Sequence, residues 1–199
     1  MLQIIRNEHY LTDKNANRFI MALQKEGFKQ EVDIKIITIH KQEEICEIDF
    51  TLPTIIIEPF SYVKPKSYND ADKDTTAKVV FSILKDNIKE GDTITLIGRG
   101  KTVGIPLSNM IRDNLNVNLI QTNSYTNYYD LSEFISISDV VICCTNNEIL
   151  YGYYMNNNLL IDIGNTFNYR NGEPDIVYKM KDIGKLTVQQ IIKNAKEIM

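Results

Sequence analysis

The run Thr93-Ile94-Thr95-Leu96-Ile97, followed by Gly98-Arg99-Gly100-Lys101-Thr102-Val103-Gly104, constrains the fold of this chain more than any other stretch. Residues 93–97 are β-branched or apolar, the composition of a strand buried in a parallel sheet. Glycines follow at 98, 100 and 104, and Leu107, Met110 and Ile111 then recur at helical spacing. Strand, glycine turn and helix in this order form the context in which a dinucleotide is bound. Gly98 allows the tight turn, Gly100 lets a pyrophosphate approach the backbone, and Gly104 lets the helix lie close to the strand. The N–H groups of the helix's first turn would then face the phosphates. The spacing is GxGxxxG rather than GxGxxG, and a βα turn that needs its glycines only for packing fits the same pattern.

A chain of 199 residues and 23.0 kDa has room for one large or two small domains. Its 43% hydrophobic content is that of a globular protein. No apolar run reaches membrane-spanning length, and Met1-Leu2-Gln3-Ile4-Ile5-Arg6 lacks the layout of a signal peptide, so the expectation is a cytoplasmic protein with no membrane partner. The formal charge of −4 argues against a nucleic-acid partner, because phosphate backbones ask for a basic face. Cys46, Cys143 and Cys144 have no metal-ligand spacing, and His9 and His40 lie far apart, so no metal site is expected. Cys143 and Cys144 follow Val140-Val141-Ile142 and read as buried, inert thiols.

Taken in order, residues 1–9 read as a short strand or an unfixed terminus. Thr12 or Asp13 would cap a helix to about Glu26, striped by Ala16, Phe19, Ile20 and Leu23, with Gly27 at its C-cap. Strands are expected at Ile34–Ile39 and Thr54–Ile57. Residues 58–74, with Pro59, Pro65 and mixed charges, form a long polar connection. Thr75 or Thr76 would cap the next helix, which ends near Gly91. After the glycine unit come a strand at Val117–Gln121, a helix at Leu131–Ile137 and a strand at Asp139–Cys144. A short helix around Glu148–Met155 and a strand at Leu159–Ile163 follow. Residues 166–183 read as irregular chain, and a last helix runs from Thr187 to Met199. This succession predicts an α/β protein: a Rossmann-type parallel sheet over 75–199, and a smaller α/β segment over 1–74 on the possible substrate side.

Ligands bind at the rim where parallel strands end. Gly98-Arg99-Gly100, Thr122 to Thr126, Thr145-Asn146-Asn147 and Gly164-Asn165 all fall there, each polar or glycine-rich after an apolar strand. Arg99 or Lys101 would pair with a phosphate, and Ser124 and Thr126 would donate to it. Many dinucleotide sites also place an acidic residue about 20 positions after the glycines to hold a ribose. Here Gln121-Thr122-Asn123-Ser124 is uncharged, which leaves NADP open alongside NAD.

Together these residues resemble the cofactor domain of the methylenetetrahydrofolate dehydrogenase/cyclohydrolase family. Its Gly-Arg-Ser turn and Val-Gly-x-Pro are matched by Gly98-Arg99-Gly100 and Val103-Gly104-Ile105-Pro106. Its His-Ser-x-Thr strand end is matched by Asn123-Ser124-Tyr125-Thr126. Its Ile-Asp-Val-Gly-Ile-Asn strand resembles Ile161-Asp162-Ile163-Gly164-Asn165, and its last helix, opening on Thr with Asn seven positions later, resembles Thr187 and Asn194. Departures are the shorter N-terminal half, Asn123 in place of the histidine, and Lys181-Asp182-Ile183-Gly184-Lys185 in place of a Pro-Val-Pro-Gly-Gly loop.

The resemblance implies NADP or NAD as cofactor, held by Gly98, Arg99, Gly100, Lys101, Val103, Gly104, Asn123, Ser124, Thr126, Thr145, Gly164, Asn165 and Thr187. It implies hydride transfer from a one-carbon unit on a tetrahydrofolate, with cyclohydrolase activity in the same pocket. The family's Tyr-Val-x-x-Lys string occurs as Tyr62-Val63-Lys64-Pro65-Lys66, so Lys66 with Asp70 or Asp72 is the candidate catalytic set. A homodimer is expected, the partner completing the small N-terminal half of the cleft. The alternatives are a nucleotide- or anion-binding module without catalysis, and a dehydrogenase for another small substrate.

Overall fold

The structure, a computed structural model, describes residues 2–7, 17, 20–29, 34–39, 54–56, 74–145, 153, 155–166, 172 and 174–198. The chain divides into two compact units, Met1–Lys73 with Val188–Met199, and Asp74–Thr187. In the first unit β1 (Leu2–Asn7) lies between β2 (Ile34–Ile39) and β3 (Thr54–Ile56), all parallel. Leu2 pairs with Ile34 and Gln3 with Thr54. Residues 20–25 are helical (α1), with Ile20 and Leu23 buried one turn apart. This helix stops at Gly27, where Phe28 N–H donates to Leu23 O at 3.2 Å and Gly27 N–H to Gln24 O at 3.1 Å. That bond pair satisfies carbonyls the helix end would otherwise leave unpaired.

The second unit is a five-stranded parallel sheet ordered β5-β4-β6-β7-β8. Its strands are β4 (Thr93–Ile97), β5 (Asn118–Thr122), β6 (Val140–Cys143), β7 (Leu159–Asp162) and β8 (Ile176–Lys179). Its helices are α2 (Thr75–Asn87), α3 (Gly104–Asn114), α4 (Tyr128–Ile137) and the first part of α5 (Met180–Ile198), which from Val188 onward belongs to the first unit. Side chains alternate across the strands, so two apolar layers form. On one face Ile94, Leu96, Val140, Ile142, Leu159 and Ile161 pack with Val80 and Leu84 of α2 and Leu107 and Ile111 of α3. On the other, Ile97, Val141, Cys143 and Leu160 pack with Leu131 and Ile135 of α4. Each such side chain contributes roughly 1.5–3 kcal/mol when fully buried. This is the Rossmann-type α/β sheet that the strand–helix succession predicts.

Several local expectations are corrected. The last helix starts at Met180 rather than Thr187, and β8 occupies part of the stretch read as irregular. Tyr178 of β8 packs on the core, and Asp182 accepts from Lys179 N–H at 3.3 Å, the kind of contact that starts a helix. Met155 is not helical but forms an isolated parallel bridge with Gly172. The start of α2 is capped by neither threonine. Asp74 takes the N-cap position at φ 55° with no side-chain cap bond, and the buried Thr75 hydroxyl has no partner. α4 begins at Tyr128, earlier than its apolar pattern suggests, because Asn127 Oδ1 accepts from Asp130 N–H at 3.0 Å.

Candidate cofactor site

The chain runs from β4 to its neighbour β5 on one side, then crosses to β6 on the other. A parallel sheet has its ligand crevice at such a switch, outside the carboxyl ends of the diverging strands. The glycine turn leaves β4 there. Gly98 has φ +109°, a region that essentially only glycine adopts, and a Cβ on it would lie 3.5 Å from the Cys144 carbonyl at the end of β6. Gly104 is buried, and a Cβ on it would stand 2.6 Å from the Gly98 carbonyl oxygen. Both residues therefore have packing reasons to be glycine. Gly100 has none: it is exposed and nothing lies within 4 Å of where its Cβ would be.

The hydrogen bonds leave the unpaired main-chain donors chiefly in the turn, because α3 beyond Gly104 has its first-turn N–H groups engaged or missing. Ile105 N–H donates to Gly100 O at 3.0 Å, Leu107 N–H donates to Val103 O at 2.9 Å, and Pro106 has no N–H. Gly98 N–H donates to Thr122 O at 3.3 Å. Among the described residues, the N–H groups of 99–104 meet no acceptor. A run of unpaired main-chain donors flanked by the exposed Arg99 and Lys101 suits phosphate oxygens.

At the end of β5, Asn123 to Thr126 form a compact turn. Tyr125 N–H donates to Asn123 Oδ1 at 2.8 Å, Asn123 N–H to Thr126 Oγ1 at 3.2 Å, and Thr126 N–H to Asn123 O at 3.1 Å. The Asn123 amide oxygen is thus engaged in its own turn, while Ser124 is exposed. At the ends of β6 and β7, a Cβ on Gly164 would be driven into the Thr145 carbonyl, so these two stretches pack backbone to backbone. Asn165 follows at φ 55°. Cys143 Sγ lies 3.5 Å from Thr166 Oγ1, which donates to Asp162 Oδ1 at 3.4 Å. Burial pushes the Cys143 thiol up to about 11, against its hydrogen bonds with Thr145 and Thr166. Burial, then the neighbouring Cys143, pushes Cys144 up to about 12. Neither thiol is a nucleophile at neutral pH.

The structure brings Gly98, Gly104, Thr145 and Gly164 into backbone contact through Cys144 and the Gly98 carbonyl, and places Asn123, Ser124 and Thr126 at the end of the adjacent strand. Val103 is half-buried against the core under the turn. Thr187 is inside α5, its hydroxyl donating to Ile183 O at 2.8 Å. Lys66, Asp70, Asp72, Asn146, Asn147, Cys46, His9 and His40 lie outside the described residues. Sequence reasoning missed Gln121, whose Nε2 donates to Gly104 O at 3.2 Å and Gly98 O at 3.4 Å. Alternation puts Gln121 on the face of β5 that carries Leu119, which packs on the core with α3. A polar side chain on that face needs a partner, and this was the signal available.

Residues 74–199 match the model of a family described as tetrahydrofolate dehydrogenase/cyclohydrolase, NAD(P)-binding domain. No curated protein sequence matches. Among solved structures, the chain is similar to a 5,10-methylenetetrahydrofolate dehydrogenase from the silkworm Bombyx mori, at TM-score 0.75 and 16% identity over 99% of this chain and 86% of that one. It is similar to the bifunctional methylenetetrahydrofolate dehydrogenase/cyclohydrolase of Campylobacter jejuni, at 0.74 and 15% over 100% and 88%. A third is the N5,N10-methylenetetrahydrofolate dehydrogenase-cyclohydrolase of Trypanosoma brucei, solved with NADP and an inhibitor, at 0.76 and 14% over 99% and 85%. At these identities the likeness is one of fold.

Proposed function

The chain belongs to the tetrahydrofolate dehydrogenase/cyclohydrolase family, with an NAD(P)-binding domain over residues 74–199, and from that premise we propose that it oxidises a one-carbon unit carried on a tetrahydrofolate. The observation that carries the cofactor half is the run of unpaired N–H groups at 99–104, set at the switch between β4 and β6. The open space over Gly100 supports the fit, because a pyrophosphate can approach the backbone there. When bound, NAD(P) supplies the hydride acceptor.

The chain's own residues bind and orient. Arg99 and Lys101 neutralise phosphate charge beside the turn, and Ser124 and Thr126 present hydroxyls from the β5 end. Thr145, Gly164 and Asn165 border the crevice from β6 and β7. The β5 end carries no carboxylate at Thr122, Asn123 or Ser124, and two cations stand by the turn. That pairing favours a ribose bearing a 2′-phosphate over a bare one. Lys66, with Asp70 or Asp72, is proposed to move the proton and orient the folate ring, and hydrolysis of the methenyl product is proposed for the same pocket. A homodimer is part of the proposal.

The test is turnover of methylenetetrahydrofolate with NADP, read as reduced-nicotinamide absorbance, beside thermal unfolding with and without the nucleotide. Expected are turnover, protection by nucleotide, and a Lys66→Ala variant that keeps the protection and loses turnover. Protection without turnover in the native chain would leave a nucleotide-binding module. Neither signal would remove the cofactor reading altogether.

A further inference from the structure

The reading that 99–104 cradle the cofactor's phosphates raises the question of what holds so glycine-rich a turn in shape. Gly100 touches nothing through its missing side chain, and residues 99–104 form no main-chain donor bonds among the described residues. Such a segment would lose conformational freedom on binding, at a cost in affinity. Among the described residues, one side chain from outside the turn reaches it: Gln121, half-buried on β5, with Nε2 3.2 Å from Gly104 O and 3.4 Å from Gly98 O. An amide nitrogen has two N–H donors, and here each has a carbonyl to meet.

A trans peptide is planar, with its C=O and N–H pointing in opposite directions. Holding the Gly98 carbonyl toward β5 therefore turns the Arg99 N–H away from β5. The Gly104 carbonyl, directed by α3 and held by Gln121 as well, likewise keeps the Ile105 N–H on the other side, where it donates to Gly100 O at 3.0 Å. That second bond anchors the Gly100 carbonyl and so sets the direction of the Lys101 N–H. Through two peptide planes and one relay bond, a single side chain orients two of the unpaired donors.

We propose that Gln121 is a positioning residue for the cofactor's phosphates, aligning the Arg99 and Lys101 N–H groups before the nucleotide arrives. The proposal rests on the turn being the nucleotide site. It concerns affinity, not the chemical step, since Gln121 acts only through the turn's carbonyls.

Gln121→Leu keeps similar bulk and removes both donors. Gln121→Glu replaces the amide by a carboxylate that repels both carbonyls at pH 8 and donates one hydrogen bond once protonated. Calorimetric titration with NADP should show Gln121→Leu binding about threefold to tenfold more weakly than the native chain, the effect of one or two lost hydrogen bonds. At saturating cofactor its kcat should equal the native value, and its unfolding temperature without nucleotide should be unchanged. Gln121→Glu should bind weakly at pH 8 and regain affinity, relative to Gln121→Leu at each pH, as the pH falls toward 5.5. Native-like NADP affinity in both variants would overturn the proposal while leaving the cofactor reading intact. So would a parallel loss of kcat and thermal stability in Gln121→Leu with no pH recovery in Gln121→Glu, since that marks a merely structural role. Failure of the native chain to bind NADP would overturn the cofactor reading and the proposal with it.

Discussion

Gly100 and Gly104 are one helical turn apart in the same loop, yet the structure asks opposite things of them. A methyl group on Gly104 would press to 2.6 Å from the Gly98 carbonyl oxygen and 3.2 Å from Arg99 Cα, both backbone atoms that cannot step aside alone. Gly104→Ala should therefore cost about 1–3 kcal/mol by urea denaturation, and should weaken nucleotide binding because the displaced atoms belong to the phosphate turn. Gly100→Ser, which restores the Gly-Arg-Ser form of the family turn, should change stability by less than about 0.5 kcal/mol, because nothing lies within 4 Å of the new Cβ. Equal losses in the two variants would contradict the packing argument. The motif already assigns them different roles, Gly100 to the approach of a pyrophosphate and Gly104 to close helix packing, and the neighbours of each supply the physical reason.

Among the elements, α4 shows how polar side chains fix a helix that packing alone would leave free to slide. Asn127 caps its start. Its end is held by Asn157, whose Nδ2 donates to Ser138 O at 2.6 Å and to Ile135 O at 2.9 Å, the latter also accepting from Ser138 N–H at 3.3 Å. Ser138 Oγ in turn donates to Phe134 O at 2.7 Å and lies 2.7 Å from Thr95 Oγ1, on the interior strand β4. The chain from β4 through Ser138 to Asn157 ties α4 to the stretch leading into β7. Asn157→Ala takes the amide donor from Ser138 O and one of two donors from Ile135 O, and should cost about 1–3 kcal/mol, seen as a lower unfolding midpoint in urea. The loss should leave NADP affinity unchanged, because the contact lies at the opposite end of the strands from the glycine turn. The role of Asn157 as a helix clasp is invisible in the sequence until α4 and the stretch leading into β7 are neighbours.

For the whole molecule, the buried Cys143 and the neighbouring Cys144, which is half-buried rather than buried as its sequence context suggests, link folding to pH. Both thiols are raised above the value of 9.0 that an unburied cysteine shows, to about 11 and about 12. The folded chain thus keeps protons that the unfolded chain releases. Their contribution to stability is complete below about pH 9 and falls as pH rises toward 11–12. Urea midpoints should be flat from pH 7 to 8.5 as far as these groups are concerned and decline above 9, and a Cys143→Ala, Cys144→Ala double variant should lose part of that decline. The wider architecture was largely legible beforehand. The alternation of β-branched runs with helical stripes is a local property, so the sequence by itself determined a parallel α/β sheet with a glycine turn after its first strand. The family resemblance rested on that same ordered run. Tertiary structure decided what depends on neighbours: that Gln121 beside β4 meets two carbonyls, that the unpaired donors run from 99 to 104 and stop at the first residue of α3, and that α5 starts at Met180. Hydrogen-bond partners and close approaches are set by which strands lie side by side, and linear spacing carries no record of that.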